Sequence, residues 1–291
     1  MAQGYVDLNF PNPMGPNDAT IVIYGYTLSL AVAALGIALF FIAFMLHLWL
    51  VVRYRTWYFI PLVVGTVLEV AGYVFRLLSS QNDPYSVPWF IVQYFCIVVA
   101  PVFFSAAIYT LVSVLINAYG KEHAPLPPKV VLGVFITFDI VATLIQIAGA
   151  ALVGVAYSNQ KDPTTPSNVL LAGLSIQVAS FAVFLVVLAW TLFRTKRSPV
   201  SVSWVFFTTL IVATLAVYLW TCFRLAEGAE GLMEELSTHE VYFGCLEFAP
   251  VVVAIYLLAY GHPGRFCGHG NSVIKPGGRI PTNGVELNGF R

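Results

Sequence analysis

The chain has 291 residues, 59% of them hydrophobic and 10% charged, with a mean hydropathy of +0.82. Soluble domains carry about 25% charged residues, so a water-soluble fold is excluded and lipid is the solvent this surface expects. A formal net charge of +0 and a pI near 6.9 leave no basic field for a nucleic-acid partner.

In chain order, residues 1–23 contain Asp7 and Asp18 but neither Lys nor Arg, which argues against a cleavable signal peptide and leaves an extracellular N-terminal segment. Seven apolar runs of about 20 residues or more follow, at about 24–51, 57–78, 89–117, 128–155, 168–192, 201–223 and 240–260. They predict an all-α membrane protein, a seven-helix bundle over residues 24–260. The connections are short and carry breakers such as Asp83-Pro84, Pro127-Pro128 and Asp162-Pro163. Residues 261–291, rich in Gly, Pro and Asn, read as a flexible cytosolic tail, with Cys267 near the last span as a possible palmitoylation position. The other cysteines, Cys96, Cys222 and Cys245, lie inside apolar runs, so no disulfide framework is expected.

Basic residues set the orientation. Arg53, Arg55, Lys121, Lys129, Arg194, Lys196 and Arg197 sit in loops one, three and five, and Arg265, Lys275, Arg279 and Arg291 in the tail; Arg76, Lys161 and Arg224 are on the other side. The positive-inside rule then puts the N-terminus outside and the C-terminus in the cytosol.

Polar groups inside the spans are the candidates for function, because a charge at the bilayer centre costs about 2.5–3.5 kcal/mol on insertion scales. Glu69, Gly72, Tyr73 and Arg76 fall at i, i+3, i+4 and i+7 on one stripe of the second span. Asp139 and Gln146 share a face of the fourth span, and Gln93 and Gln177 put amides into the third and fifth. Arg224 and Glu227 are one turn apart, Glu240 opens the seventh span and Glu247 follows it by seven. At 1.5 Å per residue, Arg76, Arg224, Glu227 and Glu240 come out near the outer boundary, while Glu69, Asp139, Gln177 and Glu247 lie deeper. The set predicts one polar substrate pocket entered from the outer leaflet. The alternative is structural ion pairing, for instance Arg76 with Glu240 or Arg224 with Glu69. His47, toward the inner end of the first span, reads as a packing histidine or a ligand contact.

The stretch Glu69-Val-Ala-Gly72-Tyr73-Val-Phe-Arg76 resembles the E-x-x-G-Y-x-x-R signature of the fungal RTA-like (resistance to aminocholesterol) lipid-translocating exporters, a seven-span family that includes exporters of sphingoid long-chain bases. Supporting similarities run from Tyr24 to about Tyr260: His47, Gln93 with Ala100-Pro101 and Tyr109, Asp139 with Gln146 and Gly149, Gly173-Leu174 with Gln177, Phe223-Arg224 with Glu227 and Gly231, and His239-Glu240. The chain departs from the family pattern at Thr27 (usually Pro), Ala33 (usually Asn), Gly244 (usually Tyr) and Glu247 (usually Asp). The resemblance implies export of amphiphilic or toxic molecules at the plasma membrane, with a membrane lipid or amphiphilic small molecule as the partner, no cofactor and no enzymatic activity. No G-x-x-x-x-G-K loop is present, so downhill movement or proton coupling through the membrane carboxylates is expected. A seven-helix receptor or sensor of lipids shares the topology, but the third span ends without an acidic-Arg-Tyr switch. A zinc enzyme needs three converging ligands, which His47, His123, His239, His262 and His269 do not offer; no metal site is expected.

Overall fold

The computed structural model describes residues 5–7, 9–10, 15, 18–119, 125–158, 162, 164–195, 204–231 and 234–266. Lys121, Lys196, Arg197, Cys267 and the remainder of the expected tail lie outside them. The described residues contain seven helices long and apolar enough to cross a membrane, so the chain is an integral, multi-pass membrane protein. They are α1 (Leu30–Tyr54), α2 (Ile60–Gln81, entered through a 3-10 turn at Trp57–Phe59), α3 (Val87–Tyr119), α4 (Pro128–Ser158), α5 (Thr164–Thr195), α6 (Trp204–Glu230) and α7, residues 240–260. α7 is composite: Glu240–Tyr242 and Ala249–Tyr260 are α-helical, and Phe243–Phe248 between them is a π-helix.

Each helix packs on its sequence neighbour, and α7 returns to α1, which closes a ring. α3 also touches α5 and α6 and is the most enclosed helix: 72% of its apolar stretch is buried in protein, against 33–44% for the other six. The faces turned outward are apolar, with Leu35, Ile42, Val183 and Val186 exposed, as lipid contact requires. Exposed Trp49, Trp57, Trp190 and Trp204 gather where α1 and α5 end and α2 and α6 begin, an aromatic girdle at one water–lipid boundary. Arg53, Arg55, Lys129, Arg194 and Arg265 lie at that same end of the chain's helices, the basic end.

Close backbone approach fixes the crossings. A Cβ on Gly72 would stand 2.6 Å from Ile97 Cγ1 on α3, and one on Gly149 would stand 2.5 Å from the backbone nitrogen of Leu170 on α5. Two hydrogen bonds tie α1 to α7: His47 Nε2 donates to the Ile255 carbonyl (3.0 Å), and the Tyr256 hydroxyl donates to the Leu39 carbonyl (2.9 Å). At the basic end the chain adds one helical turn, Pro263–Phe266, where a flexible tail was expected; Gly264 there packs directly on Tyr54, and His262 is buried against Phe59.

The opposite end departs from the expected pattern. Hydropathy runs the first span back to Tyr24, but Gly25 adopts φ 74° and Ser29 takes the N-cap, so the helix starts at Leu30. Residues 18–29 instead form an extended strap over the bundle. The Val22 amide donates to the Tyr5 carbonyl (2.8 Å) and the Ala19 amide to the Tyr85 carbonyl (2.9 Å). Val22, Tyr24, Leu28 and Tyr85 bury one another in a small core with Phe10, Tyr26 and Phe90. Asp7 anchors the strap by accepting from Thr27 Oγ1 (2.8 Å), while its carbonyl accepts from the Tyr85 hydroxyl (3.3 Å).

Overpacking of an unyielding backbone costs about 1–3 kcal/mol. Gly149→Ala is therefore expected to lower the unfolding midpoint of the purified protein in detergent, whereas Gly133→Ala, with nothing within 4 Å of the added carbon, leaves it unchanged or raises it. Burial opposes the Asp7 charge, but bonds from the Asn9 amide, Thr27 and the Asn9 side chain outweigh it and hold the carboxyl below its ordinary 3.8. A group depressed by folding contributes its stability above the unfolded value and loses it as pH falls through the folded one. Protection of residues 18–29 in hydrogen exchange, corrected for intrinsic rates, should thus be constant above about pH 5 and fall below pH 3.8; in Asp7→Asn this step should vanish.

Candidate functional site

The stripe on α2 points inward, with Glu69, Gly72, Tyr73 and Arg76 all buried. A guanidinium at such depth needs partners from other helices, because one helix cannot satisfy five donors. Arg76 Nη2 donates to the Tyr26 hydroxyl (2.9 Å) and to Glu240 Oε1 (2.7 Å), and its Cζ stands 4.0 Å from the centre of the Phe243 ring. Arg224, near the end of α6, donates from Nη1 to Glu227 one turn on and to Glu247 Oε2 (3.5 Å). Its Nη2 donates to the Tyr94 hydroxyl (2.6 Å), and the Tyr94 ring lies 4.9 Å from its Cζ. The Nε atoms of both arginines are buried without a hydrogen-bond partner in the protein.

The π-helix explains how one helix serves both arginines. Residues seven apart on a regular α-helix share a face, and by that rule Glu240 and Glu247 would point the same way. Phe243–Phe248 winds with i→i+5 spacing and shifts the phase between them. Glu240 thereby meets Arg76 on α2, and Glu247 meets Arg224 on α6.

Between the two arginines lies a cavity of about 60 Å³ bounded by α2, α3, α6, α7 and the strap. That is room for several waters or a compact polar headgroup, since one water occupies roughly 10–15 Å³ by this measure. It is too small for a lipid chain. Arg76, Gln93, Arg224, Glu227 and Glu247 line it, as do Tyr24, Tyr26, Tyr94 and Phe243. Glu240 backs it through Arg76, and the Tyr73 ring packs below on Phe243 and Phe248. Glu69 is buried close enough to Glu247 for their charges to interact and has no hydrogen bond or ion pair among the described residues.

The expected single pocket is smaller than the sequence suggested. Asp139 does not line it: Oδ2 accepts from the Tyr109 hydroxyl (2.9 Å), Oδ1 is buried without a partner, and Phe135, Phe181 and Phe184 enclose Tyr109. Gln146 and Gln177 bond each other (2.8 Å) and tie α4 to α5. Depth along a helix groups Asp139 and Gln177 with Glu69 and Glu247, and Gln146 joins them by sharing a face with Asp139, but depth carries no information about azimuth. Of the suggested ion pairs, Arg76–Glu240 forms; Arg224 takes Glu227 and Glu247 instead of Glu69. His47 is a helix tie remote from the pocket lining. Tyr24, Tyr26, Tyr94 and Phe243 were not anticipated, because aromatic residues in an apolar chain read as core. A usable signal was present in Phe90 and Tyr94, an i, i+4 aromatic pair flanking Gln93 and stacked at 5.9 Å.

Chemically, the guanidiniums of Arg76 and Arg224 meet the carboxylates of Glu227, Glu240 and Glu247 beside aromatic faces, and Glu69 close by has no ion pair among the described residues. Carboxylates and ring faces suit a cation, and a guanidinium N–H suits an oxygen acceptor. Removing one member of a buried pair strands the other at a cost of about 3–5 kcal/mol. Arg224→Gln is expected to destabilise the detergent-solubilised protein strongly, and adding Glu247→Gln should restore part of the loss, measured as unfolding midpoints.

Residues 62–270 match the family described as RTA1 like protein. Sphingoid long-chain base transporter RSB1 of Saccharomyces cerevisiae (strain ATCC 204508 / S288c) is 33% identical over 262 residues, covering 76% of this chain and 68% of the relative. Protoporphyrin uptake protein 1 of the same strain is 27% identical over 224 residues, covering 75% and 71%. Protein RTM1 of Saccharomyces cerevisiae is 28% identical over 214 residues, covering 70% and 66%. No solved structure matches the chain.

Proposed function

The chain belongs to the RTA1-like family of multi-pass membrane proteins, and on that premise we propose that it is a transporter that translocates a cationic, hydroxylated amphiphile across the plasma membrane. The single observation that carries this reading is the cavity between Arg76 and Arg224, whose lining sets the Glu227 and Glu247 carboxylates and both guanidiniums beside the faces of Tyr24, Tyr26 and Tyr94. An amino-alcohol headgroup complements both. Its ammonium faces Glu247, whose charge lies within reach of Glu69, and its hydroxyl oxygens accept from the guanidinium edges of Arg76 and Arg224 that line the cavity. The sphingoid base named for the 33% identical relative has this chemistry. The volume admits the headgroup alone, so the hydrocarbon chain stays in the lipid beside the bundle.

The positive-inside rule puts the strap and pocket on the outer side and the basic end in the cytosol. Charged headgroups are the part of a lipid that the bilayer core resists, so a protein that carries only the headgroup lowers the main barrier. The protein is read as a carrier and not an enzyme, since the pocket groups bind and neutralise charge and no bond-breaking constellation is invoked.

Charge-assisted hydrogen bonds contribute about 1.5–3 kcal/mol each, which corresponds to a tenfold effect or more. Glu247→Gln and Glu69→Gln, at equal surface expression, are each expected to reduce export of a long-chain base at least roughly tenfold and to sensitise cells to it. Export by both variants at the rate of the parent chain would remove these carboxylates from the mechanism.

A further inference from the structure

Tyr24 and Tyr26 of the strap line the cavity and engage its polar groups with hydroxyls, the kind of group the cavity is read to bind. The Tyr24 hydroxyl donates to Gln93 Oε1, with Ser79 Oγ at 3.2 Å. The Tyr26 hydroxyl accepts from Arg76 Nη2, and the Ser29 amide donates to Glu240 Oε1 (3.1 Å). Two polar side chains of the pocket lining, Gln93 and Arg76, are therefore occupied by the strap, as is Glu240 behind Arg76. Between the tyrosines, Gly25 turns the chain at φ 74° and lies so close to the connection ahead of α7 that a Cβ there would stand 2.6 Å from Thr238 Cγ2. Burial pushes the Tyr24 phenol up to about 12, so it stays a hydroxyl at any physiological pH.

We propose that Tyr24 and Tyr26 are the gate and selectivity residues of the pocket, and that the strap lifts so that two hydroxyls of a substrate headgroup replace its phenols, one donating to Gln93 and one accepting from Arg76. This rests on the translocation reading for what enters, but not for the closure itself. A headgroup lacking hydroxyls leaves Gln93 and Arg76 unpaired once the strap has lifted, and a buried unpaired polar group is costly. The gate thus favours hydroxylated cations over simple alkylamines.

Two measurements test this, both on the full chain with Cys96, Cys222, Cys245 and Cys267 replaced by Ala. In the first, Val98→Cys, on the cavity wall, is labelled with a water-soluble maleimide. Tyr24→Phe with Tyr26→Phe removes two strap hydrogen bonds and is expected to speed labelling roughly tenfold; an unchanged rate overturns the gate. In the second, Gly25→Cys with Thr238→Cys is reconstituted in phosphatidylcholine liposomes and assayed with a fluorescent long-chain base. Oxidation to the cross-linked form should bring movement of the base down to that of empty liposomes, and reduction should restore it. Movement that survives cross-linking overturns the proposal. Faster labelling together with no movement of the base, even by the reduced protein, would uphold the gate and sink the translocation reading, so the two failures are distinguishable.

Discussion

A guanidinium cannot remain within a bilayer unless a carboxylate, a π face or water lies within reach, and this chain buries two. Arg76 and Arg224 draw their partners from four places: the strap, α3, α6 and α7. Glu240 and Tyr26 come to one arginine, Glu247 and Tyr94 to the other, and an aromatic ring lies against each. The positions of these helices at the strap end follow from that requirement more than from apolar contact, since lipid is as good a solvent for leucine as another helix is. The small cavity is the space that remains once both cations are satisfied.

Away from the arginines, polar groups serve in pairs that join neighbouring helices. Gln146 with Gln177, Tyr109 with Asp139, and His47 with the Ile255 carbonyl link α4 to α5, α3 to α4 and α1 to α7. Glycine does the same work where a backbone must come close, as Gly149 does against Leu170. The α4–α5 side of the bundle is thereby joined along its length, while the space beneath the strap between α2, α3, α6 and α7 holds charge, a cavity and a cover. A carrier needs that division: one region to stay assembled and another to change its contents.

Seven spans, the stripe on α2 and the Arg76–Glu240 pair were legible because each depends on one-dimensional information: hydropathy, helical spacing, and depth at 1.5 Å per residue. What was not legible depends on rotation about helix axes. Asp139, Gln146 and Gln177 sit at depths that match the pocket but face elsewhere. Arg224 meets Glu247 because α7 is underwound at its π turn, which nothing in the spacing of Glu240 and Glu247 announces. The strap was hidden for another reason: Tyr24, Tyr26 and Leu28 are apolar enough to pass for the first turn of a span, and only Gly25 and Ser29 mark the interruption.

The π turn between Phe243 and Phe248 also divides α7 mechanically. Its surplus residue means that the stretch carrying Glu240 and the stretch carrying Ile255 do not share a rotational setting, so Glu240 is aimed at Arg76 without disturbing the histidine tie to α1. Gly244 sits in this turn with nothing within 4 Å of where a Cβ would be, so the widened turn is accommodated on a face where no neighbouring helix is packed.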